Sequence, residues 1–231
     1  MTNSAIIAID GPAGAGKSTV TRQVAMRLGL VYLDTGAMYR AVTWLLQSLD
    51  LPVQESKALQ QALSSLELRL EAQPQGDQLV WVNGKNVTEQ IRTAEITAGV
   101  SAVAALPSVR NALTAQQRRL GASGGLVAEG RDIGTAVFPN AELKVYLTAT
   151  VAERARRRSA DLIQRGLPLP DLKQLEQEIN TRDQLDSTRA VAPLCKAADA
   201  LELVSDGMSI EQVVQQIVCW YEAKLLPPGF S

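Results

Sequence analysis

Five short apolar runs punctuate the chain: Ile6–Ile9, Leu30–Leu33, the stretch behind Gly124-Gly125 that leads to Glu129, Leu143–Leu147 and Ala200–Val204. Each has the length and composition of a buried strand. Between them apolar positions return every three or four residues, the period of a helix with one face on a core. Val20, Val24 and Leu28 do this after the first run, and Val42, Leu45, Leu46 and Leu49 after the second. Further amphipathic helices are expected from Val109 to Leu120, from Val151, from Leu172 to about Leu185 and from Ile210 to about Leu225. Strands alternating with helices predict an α/β domain built on a parallel sheet.

Residues 51–105 break that rhythm. Pro52 opens a helix-like stretch through Ala58, Ala62 and Leu63. Leu66, Leu68 and Leu70 then alternate with Glu67, Arg69 and Glu71, which is the period of a half-buried strand. Pro74-Gln75-Gly76-Asp77 interrupts, Leu79–Val82 resumes, and Asn83-Gly84 is a two-residue hairpin signal before Lys85-Asn86-Val87. Glu95 to Ala105 reads as helix again, stopped by Pro107. The expectation is a small antiparallel sheet inserted into the main domain. The tail at Pro227-Pro228-Gly229 is expected to fray.

The first strand runs straight into Gly11-Pro12-Ala13-Gly14-Ala15-Gly16-Lys17-Ser18-Thr19, and a helix follows. Strand, Gly-x-x-x-x-Gly-Lys-Ser and helix make a P-loop. Its glycines permit backbone angles closed to other residues, so successive N–H groups converge on one anion. The helix turns the positive end of its dipole toward the same point. Lys17 adds a full charge for the outer phosphates, and the Ser18 hydroxyl is placed to ligate Mg²⁺.

Composition narrows the chemistry. The chain of 231 residues is 46% apolar and 20% charged, with a formal net charge of −1, so no overall positive field invites nucleic acid. There is no histidine, which excludes imidazole bases, Ser-His-Asp hydrolysis and histidine-ligated metals. Phosphoryl transfer tolerates that absence, because it depends on positioning and charge stabilisation. Two cysteines, Cys195 and Cys219, make neither a disulfide framework nor a C-x-x-C metal site, and a reducing compartment is expected. Ile6–Ile9 is too short for a signal-peptide core, and no apolar run reaches membrane-spanning length.

Other candidates lie where strands end. Asp34-Thr35-Gly36 is a turn signal after the second strand, with Tyr39 and Arg40 on the helix beyond. Gly130-Arg131-Asp132 follows Glu129 at the end of the third, a position where open parallel sheets bind ligands. Arg154, Arg157 and Arg158 fall on one helical face and together want an anion, or form a solvated basic face. Gly166, Pro168 and Pro170 then give that helix the setting of a moving lid. Arg182, Asp186 and Arg189 share a face provided the next helix persists through all three. Nothing local marks Ser101, and its helix reads equally as packing.

A P-loop alone leaves several readings open. A GTP-binding switch protein is opposed by the lack of Asn-Lys-x-Asp and Asp-x-x-Gly signatures. A nucleic-acid module is opposed by the charge balance and the scarcity of aromatics. A kinase for another small acceptor, such as UMP, AMP or shikimate, differs only at the acceptor site.

Taken together, Gly11–Thr19, Asp34-Thr35-Gly36-Ala37-Met38-Tyr39-Arg40, Gly130-Arg131-Asp132 and Arg189-Ala190-Val191-Ala192-Pro193-Leu194 resemble the bacterial cytidylate kinases of the long type, over essentially the whole chain. The resemblance implies transfer of the γ-phosphate of ATP, with Mg²⁺, to CMP or dCMP. It implies a P-loop NTPase fold of three α/β/α layers with a five-stranded parallel sheet, an inserted α+β monophosphate-binding domain and a short helical lid. The expected core is 1–35, 106–150 and 170–231, the insert 36–105 and the lid 151–169. Gly11, Pro12, Ala13, Gly14, Ala15, Gly16, Lys17, Ser18 and Thr19 would hold ATP, with Arg154 and Arg158 closing over it. Asp34, Thr35, Tyr39, Arg40, Ser101, Arg110, Gly130, Arg131, Asp132, Arg182, Asp186 and Arg189 would bind CMP. Arg40 and Arg131 would take its phosphate, and Ser101, Arg110 and Asp132 its base. Lys17, Arg131, Arg182 and Arg189 would be catalytic and Ser18 the metal ligand. Glu129 and Thr35 stand where the family often has Asp and Ser, each keeping the functional group. A cytoplasmic monomer with no nucleic-acid or membrane partner is expected.

Overall fold

A computed structural model describes residues 4–73, 78–164, 166 and 168–225. In chain order its elements are β1 (Ile6–Asp10), α1 (Lys17–Leu28), β2 (Val31–Asp34), α2 (Thr35–Ser48), α3 (Lys57–Ser64), β3 (Leu68–Glu71), β4 (Leu79–Val82) and β5 (Lys85–Asn86). Then come α4 (Ala94–Ala104), α5 (Pro107–Leu120), β6 (Leu126–Gly130), β7 (Leu143–Thr148), α6 (Val151–Gln164), α7 (Leu172–Thr188), β8 (Leu201–Val204) and α8 (Ile210–Leu225). The predicted break at Pro74–Asp77 and the Pro227–Gly229 tail lie outside the described residues.

The chain divides into two compact units, one running to Leu33 and resuming at Gly124, the other Asp34–Ser123. In the first, the five apolar runs form one parallel sheet in the order β2-β6-β1-β7-β8. Ile7 and Ile9 of β1 stand in register with Val127 and Glu129 of β6 and with Leu143 and Val145 of β7. Their side chains share a face with Leu147 and Leu203, and α1 (Val20, Val24, Ala25) and α8 (Val213, Val214, Ile217, Val218, Tyr221) cover it. Burial of that face is the main stabilising term. Because every strand is parallel, all the chain reversals at the strand C-termini, including the P-loop and the Gly130-Arg131-Asp132 tip, gather at one edge. Helices α6 and α7 pack as a hairpin around Ala155, Leu162, Leu175 and Ile179.

In the second unit α2 packs on α4, β4 and α5, around buried Met38, Val42, Leu46, Val80, Val100, Val103 and Leu113. The predicted antiparallel sheet is present, in the order β3-β4-β5. Asn83 (φ +48°) and Gly84 (φ +78°) turn the β4–β5 hairpin with the two positive φ values that a type I′ turn requires. Asn83 also accepts from the Glu67 N–H at 2.8 Å, which pins β3 beside the turn.

Local punctuation differs from expectation in two places. Pro107 does not simply end a helix: it is the first residue of α5, where its missing N–H costs nothing. Asp34-Thr35-Gly36 is not a loop either. Asp34 is the N-cap of α2, its carboxylate accepting from Ala37 N–H at 2.8 Å, and Thr35 and Gly36 already lie in the first turn.

Candidate active site

The P-loop joins β1 to α1 through three glycines at positive φ: Gly11 (+152°), Gly14 (+77°) and Gly16 (+87°). Gly11 has a second reason to be glycine, since a Cβ there would lie 1.9 Å from the Leu147 carbonyl oxygen of β7. Gly16 caps α1 without any side-chain acceptor, which leaves the first-turn N–H groups directed at the loop's interior. Ser18 is exposed in that turn and Thr19 half-buried.

Lys17 is buried, and its ammonium donates to the carbonyls of Gly11 (2.8 Å) and Pro12 (2.7 Å). Burial holds its pKa well below the ordinary lysine range, Arg131 and Arg182 push in the same direction, and Glu129 and Asp10 oppose them. Three cationic side chains are thus near enough to feel one another, an arrangement that gains from any anion placed among them.

Beneath the loop, α6 offers arginines to its outward-facing carbonyls. Arg154 is buried and donates to the Ala13 carbonyl at 3.1 Å and the Ala149 carbonyl at 3.0 Å, while pairing with Asp183 at 2.6 Å. Arg157 donates to the Ala15 carbonyl at 3.3 Å and to the Ser205 carbonyl at 2.7 Å, and Glu153 accepts from it at 2.8 Å. Arg158 lies further along and pairs with Asp161 at 3.5 Å on the surface. The shared face read in the sequence therefore separates into two arginines that brace the loop and one that pairs along its own helix. The sequence shows Arg157 as a charge on the face shared with Arg154 and Arg158, but its hold on the loop has no sequence signal.

At the end of β6, Arg131 donates through Nε to Asp186 of α7 at 2.8 Å, and Asp132 accepts from Arg189 at 3.1 Å. Helix α7 stops at Thr188, so Arg189 does not share a face with Arg182 and Asp186 by continuing the helix. Its backbone is extended, and its Nε donates to the Ala192 carbonyl at 2.8 Å, which aims the guanidinium back at Asp132. Burial pushes the Asp186 carboxyl upward, but Arg131, Arg182 and Arg189 outweigh it and hold the pKa below the usual carboxylate range. Gly130 and Glu129 are buried in the strand itself, and Glu129 accepts from the Tyr32 hydroxyl at 2.5 Å.

Asp10 carries no mark of its own in the sequence beyond its place before the P-loop. Buried at the end of β1, it accepts from the N–H groups of Ile133 and Gly134 at 2.8 and 2.7 Å. Burial pushes its pKa up to about 6, against the pull of those two hydrogen bonds.

The second unit gathers the remaining residues around α2. Thr35 and Tyr39 are buried, and the Arg110 guanidinium stands 5.6 Å from the centre of the Tyr39 ring. Arg110 is itself buried and donates to the Ala104 carbonyl at 3.2 Å, one helical turn from half-buried Ser101. Arg40 folds over the first turn of α2, and a Cβ on Gly36 would meet its guanidinium and the Asp34 carboxylate, each at 3.2 Å.

Among the described residues no three His, Cys, Asp or Glu side chains cluster as a metal cage, and no helix is long and apolar enough to cross a membrane.

Comparison with known proteins gives the family. The family model described as cytidylate kinase matches residues 7–223. A bifunctional pantoate ligase/cytidylate kinase from Synechococcus sp. (strain RCC307) is 67% identical over 221 residues, 96% of this chain and 43% of the relative. One with the same description from Prochlorococcus marinus (strain MIT 9303) is 63% identical over 94% of this chain and 45% of its own length. The chain thus spans less than half the length of these relatives. A gluconokinase structure from Sinorhizobium meliloti 1021, 12% identical, overlays with a TM-score of 0.51 over 96% of this chain and 94% of its own, which speaks to fold alone. On the match across residues 7–223, the chain belongs to the cytidylate kinase family.

Proposed function

We propose that the chain transfers the γ-phosphate of ATP to CMP or dCMP, giving ADP and CDP or dCDP. The observation that carries this reading is the glycine loop itself: its three glycines sit at positive φ, and the first-turn N–H groups of α1 are left without a side-chain cap. Lys17 is buried against the Gly11 and Pro12 carbonyls, where it feels the charges of Arg131 and Arg182. That charge arrangement suits a transferring phosphoryl group, whose equatorial oxygens need neutralising in the transition state. The acceptor phosphate is already anionic, so the lack of histidine removes nothing the reaction requires.

In this reading the P-loop from Gly11 to Thr19 receives the ATP phosphates. Lys17 leaves the Gly11 and Pro12 carbonyls for them, exchanging two neutral acceptors for charged ones. Bound with the nucleotide, Mg²⁺ would supply charge neutralisation at the phosphates. Ser18, exposed in the first turn of α1, would hold it, and a single protein hydroxyl suits an ion carried mainly by phosphates and water. Arg182 and Arg189, from α7 and the segment after it, act on the reacting phosphates, while Arg154 steadies the loop that receives ATP and Arg158 would have to leave Asp161 to close over it.

The acceptor role falls to Asp34, Thr35, Tyr39, Arg40, Ser101, Arg110, Gly130, Arg131, Asp132, Arg182, Asp186 and Arg189. Arg40 and Arg131 take the CMP phosphate, while Ser101, Arg110 and Asp132 read the base. A carboxylate suits cytosine, whose exocyclic amino group donates where uracil presents a carbonyl that would repel it. The acting unit is read as a cytoplasmic monomer.

The test is Lys17→Ala. It is expected to cut ATP-dependent phosphorylation of CMP by more than about 100-fold with an unchanged circular dichroism spectrum. Near-normal turnover in that variant would contradict the role of the loop.

A further inference from the structure

Past the tip of β6 the chain makes a π-helical turn, Ile133–Val137, whose N-cap residue is Asp132. An aspartate in that position ordinarily accepts an N–H two or three residues ahead. Asp132 makes no such capping bond. The first two N–H groups of the turn, those of Ile133 and Gly134, donate instead to the two oxygens of Asp10, at 2.8 and 2.7 Å. The parallel register sets Asp10 opposite Gly130, so its carboxylate reaches just past the strand end into the turn. The fit is close: a Cβ on Gly134 would stand 3.4 Å from the Asp10 oxygen and 3.1 Å from Cδ of Lys144. Asp132, relieved of capping, is turned to Arg189 at 3.1 Å, with both side chains at most 5% exposed.

We propose that Asp10 is a positioning residue for base recognition: by capping the Ile133–Val137 turn from the neighbouring strand, it keeps the Asp132 carboxylate directed to Arg189 and available to the cytosine amino group rather than folded onto its own backbone. This rests on the reading of Asp132 as the base-reading acceptor. A buried carboxylate is expensive, and a fold retains one where its bonds set something else in place. Without Asp10, two buried N–H groups lose their acceptor, and Asp132, one residue away, is the nearest carboxylate able to replace it.

The measurement is the ratio of kcat/KM for CMP to that for UMP, in the wild type, Asp10→Ala, Asp10→Asn, Asp132→Ala and the double variant Asp10→Ala/Asp132→Ala. The expected result is a fall of about tenfold or more in the ratio for Asp10→Ala. Asp10→Asn, which keeps one carbonyl acceptor, should show a smaller fall. In the Asp132→Ala background, Asp10→Ala should leave the ratio unchanged. If Asp10→Ala does not fold, the ratio in Asp10→Asn decides. A merely structural Asp10 would lower stability or turnover with the ratio intact, and that result overturns the proposal. An additive loss in the double variant overturns it too. A wild type that phosphorylates no CMP overturns the functional reading itself, whereas CMP activity with an Asp10-independent ratio removes only the role of Asp10.

Discussion

Arg131 and Asp186 meet at 2.8 Å, Nε to Oδ2, and the neighbouring pair repeats the contact with charges exchanged, Asp132 accepting from Arg189 at 3.1 Å. A basic-acidic dipeptide at the tip of β6 is thereby clasped by an acidic residue of α7 and a basic one just after it. Each charge is matched by a partner from the other segment, so the clasp admits one register. Asp186→Asn keeps the shape but removes the charge opposite Arg131. The variant should lose about 2 kcal/mol of stability, a fall of roughly 4–8 °C in Tm, with kcat reduced at least about tenfold. Thermal melts and steady-state rates read both; a variant like wild type in both would show that the clasp does nothing for Arg131.

The loop's outward carbonyls are held by Arg154 and Arg157, so its N–H groups are kept facing in. Arg157→Ala removes the bond to the Ala15 carbonyl and those to Ser205. The KM for ATP should rise about tenfold with the KM for CMP within about a factor of two. An equal rise in both constants would assign Arg157 to general stability.

Glycine requirements differ along the chain. Gly11→Ala would place its Cβ 1.9 Å from the Leu147 carbonyl oxygen and should fail to yield folded protein. Gly29→Ala, also at positive φ but with nothing within 4 Å, should cost only about 1 kcal/mol in denaturant unfolding. Comparable losses would contradict the close approach of β1 and β7.

Two carboxylates give stability opposite dependences on pH. Asp10 is pushed up to about 6 from an ordinary 3.8, so the folded chain holds this proton more tightly and the group adds stability as pH falls from about 6 to about 4. Asp186 is held below its ordinary value, so its contribution is present above about 4 and is lost as pH falls further. Asp10→Asn removes the first dependence. Its stability relative to wild type should be higher at pH 7 than at pH 4 by on the order of 3 kcal/mol, measured by urea unfolding at the two values. A pH-independent difference would show that Asp10 titrates normally.

Much of this was legible in the sequence. Strands buried on both faces appear as largely apolar runs, so Ile6–Ile9 and Leu143–Leu147 are legible even though Lys144 interrupts the second, and Asn83-Gly84 names its hairpin. The P-loop was legible because its backbone angles leave glycine as the natural choice. Contacts between distant segments leave no such trace. Nothing near Asp10 announces that it caps a turn more than 120 residues later, or that Asp132 thereby forgoes its usual bond. Arg154 and Arg158 look alike on a helical wheel, yet one is buried under the loop and the other pairs at the surface. Arg189 reaches Asp132 because the helix ends at Thr188, a stop that no glycine or proline marks.

The decisive measurement is ADP formation from ATP and Mg²⁺ with CMP, dCMP, UMP, AMP and shikimate offered separately. Strong activity with CMP and dCMP and weak activity with UMP, AMP and shikimate are expected. Equal rates with CMP and UMP would contradict base reading by Asp132, and no acceptor-dependent ADP at all would contradict the phosphoryl transfer itself.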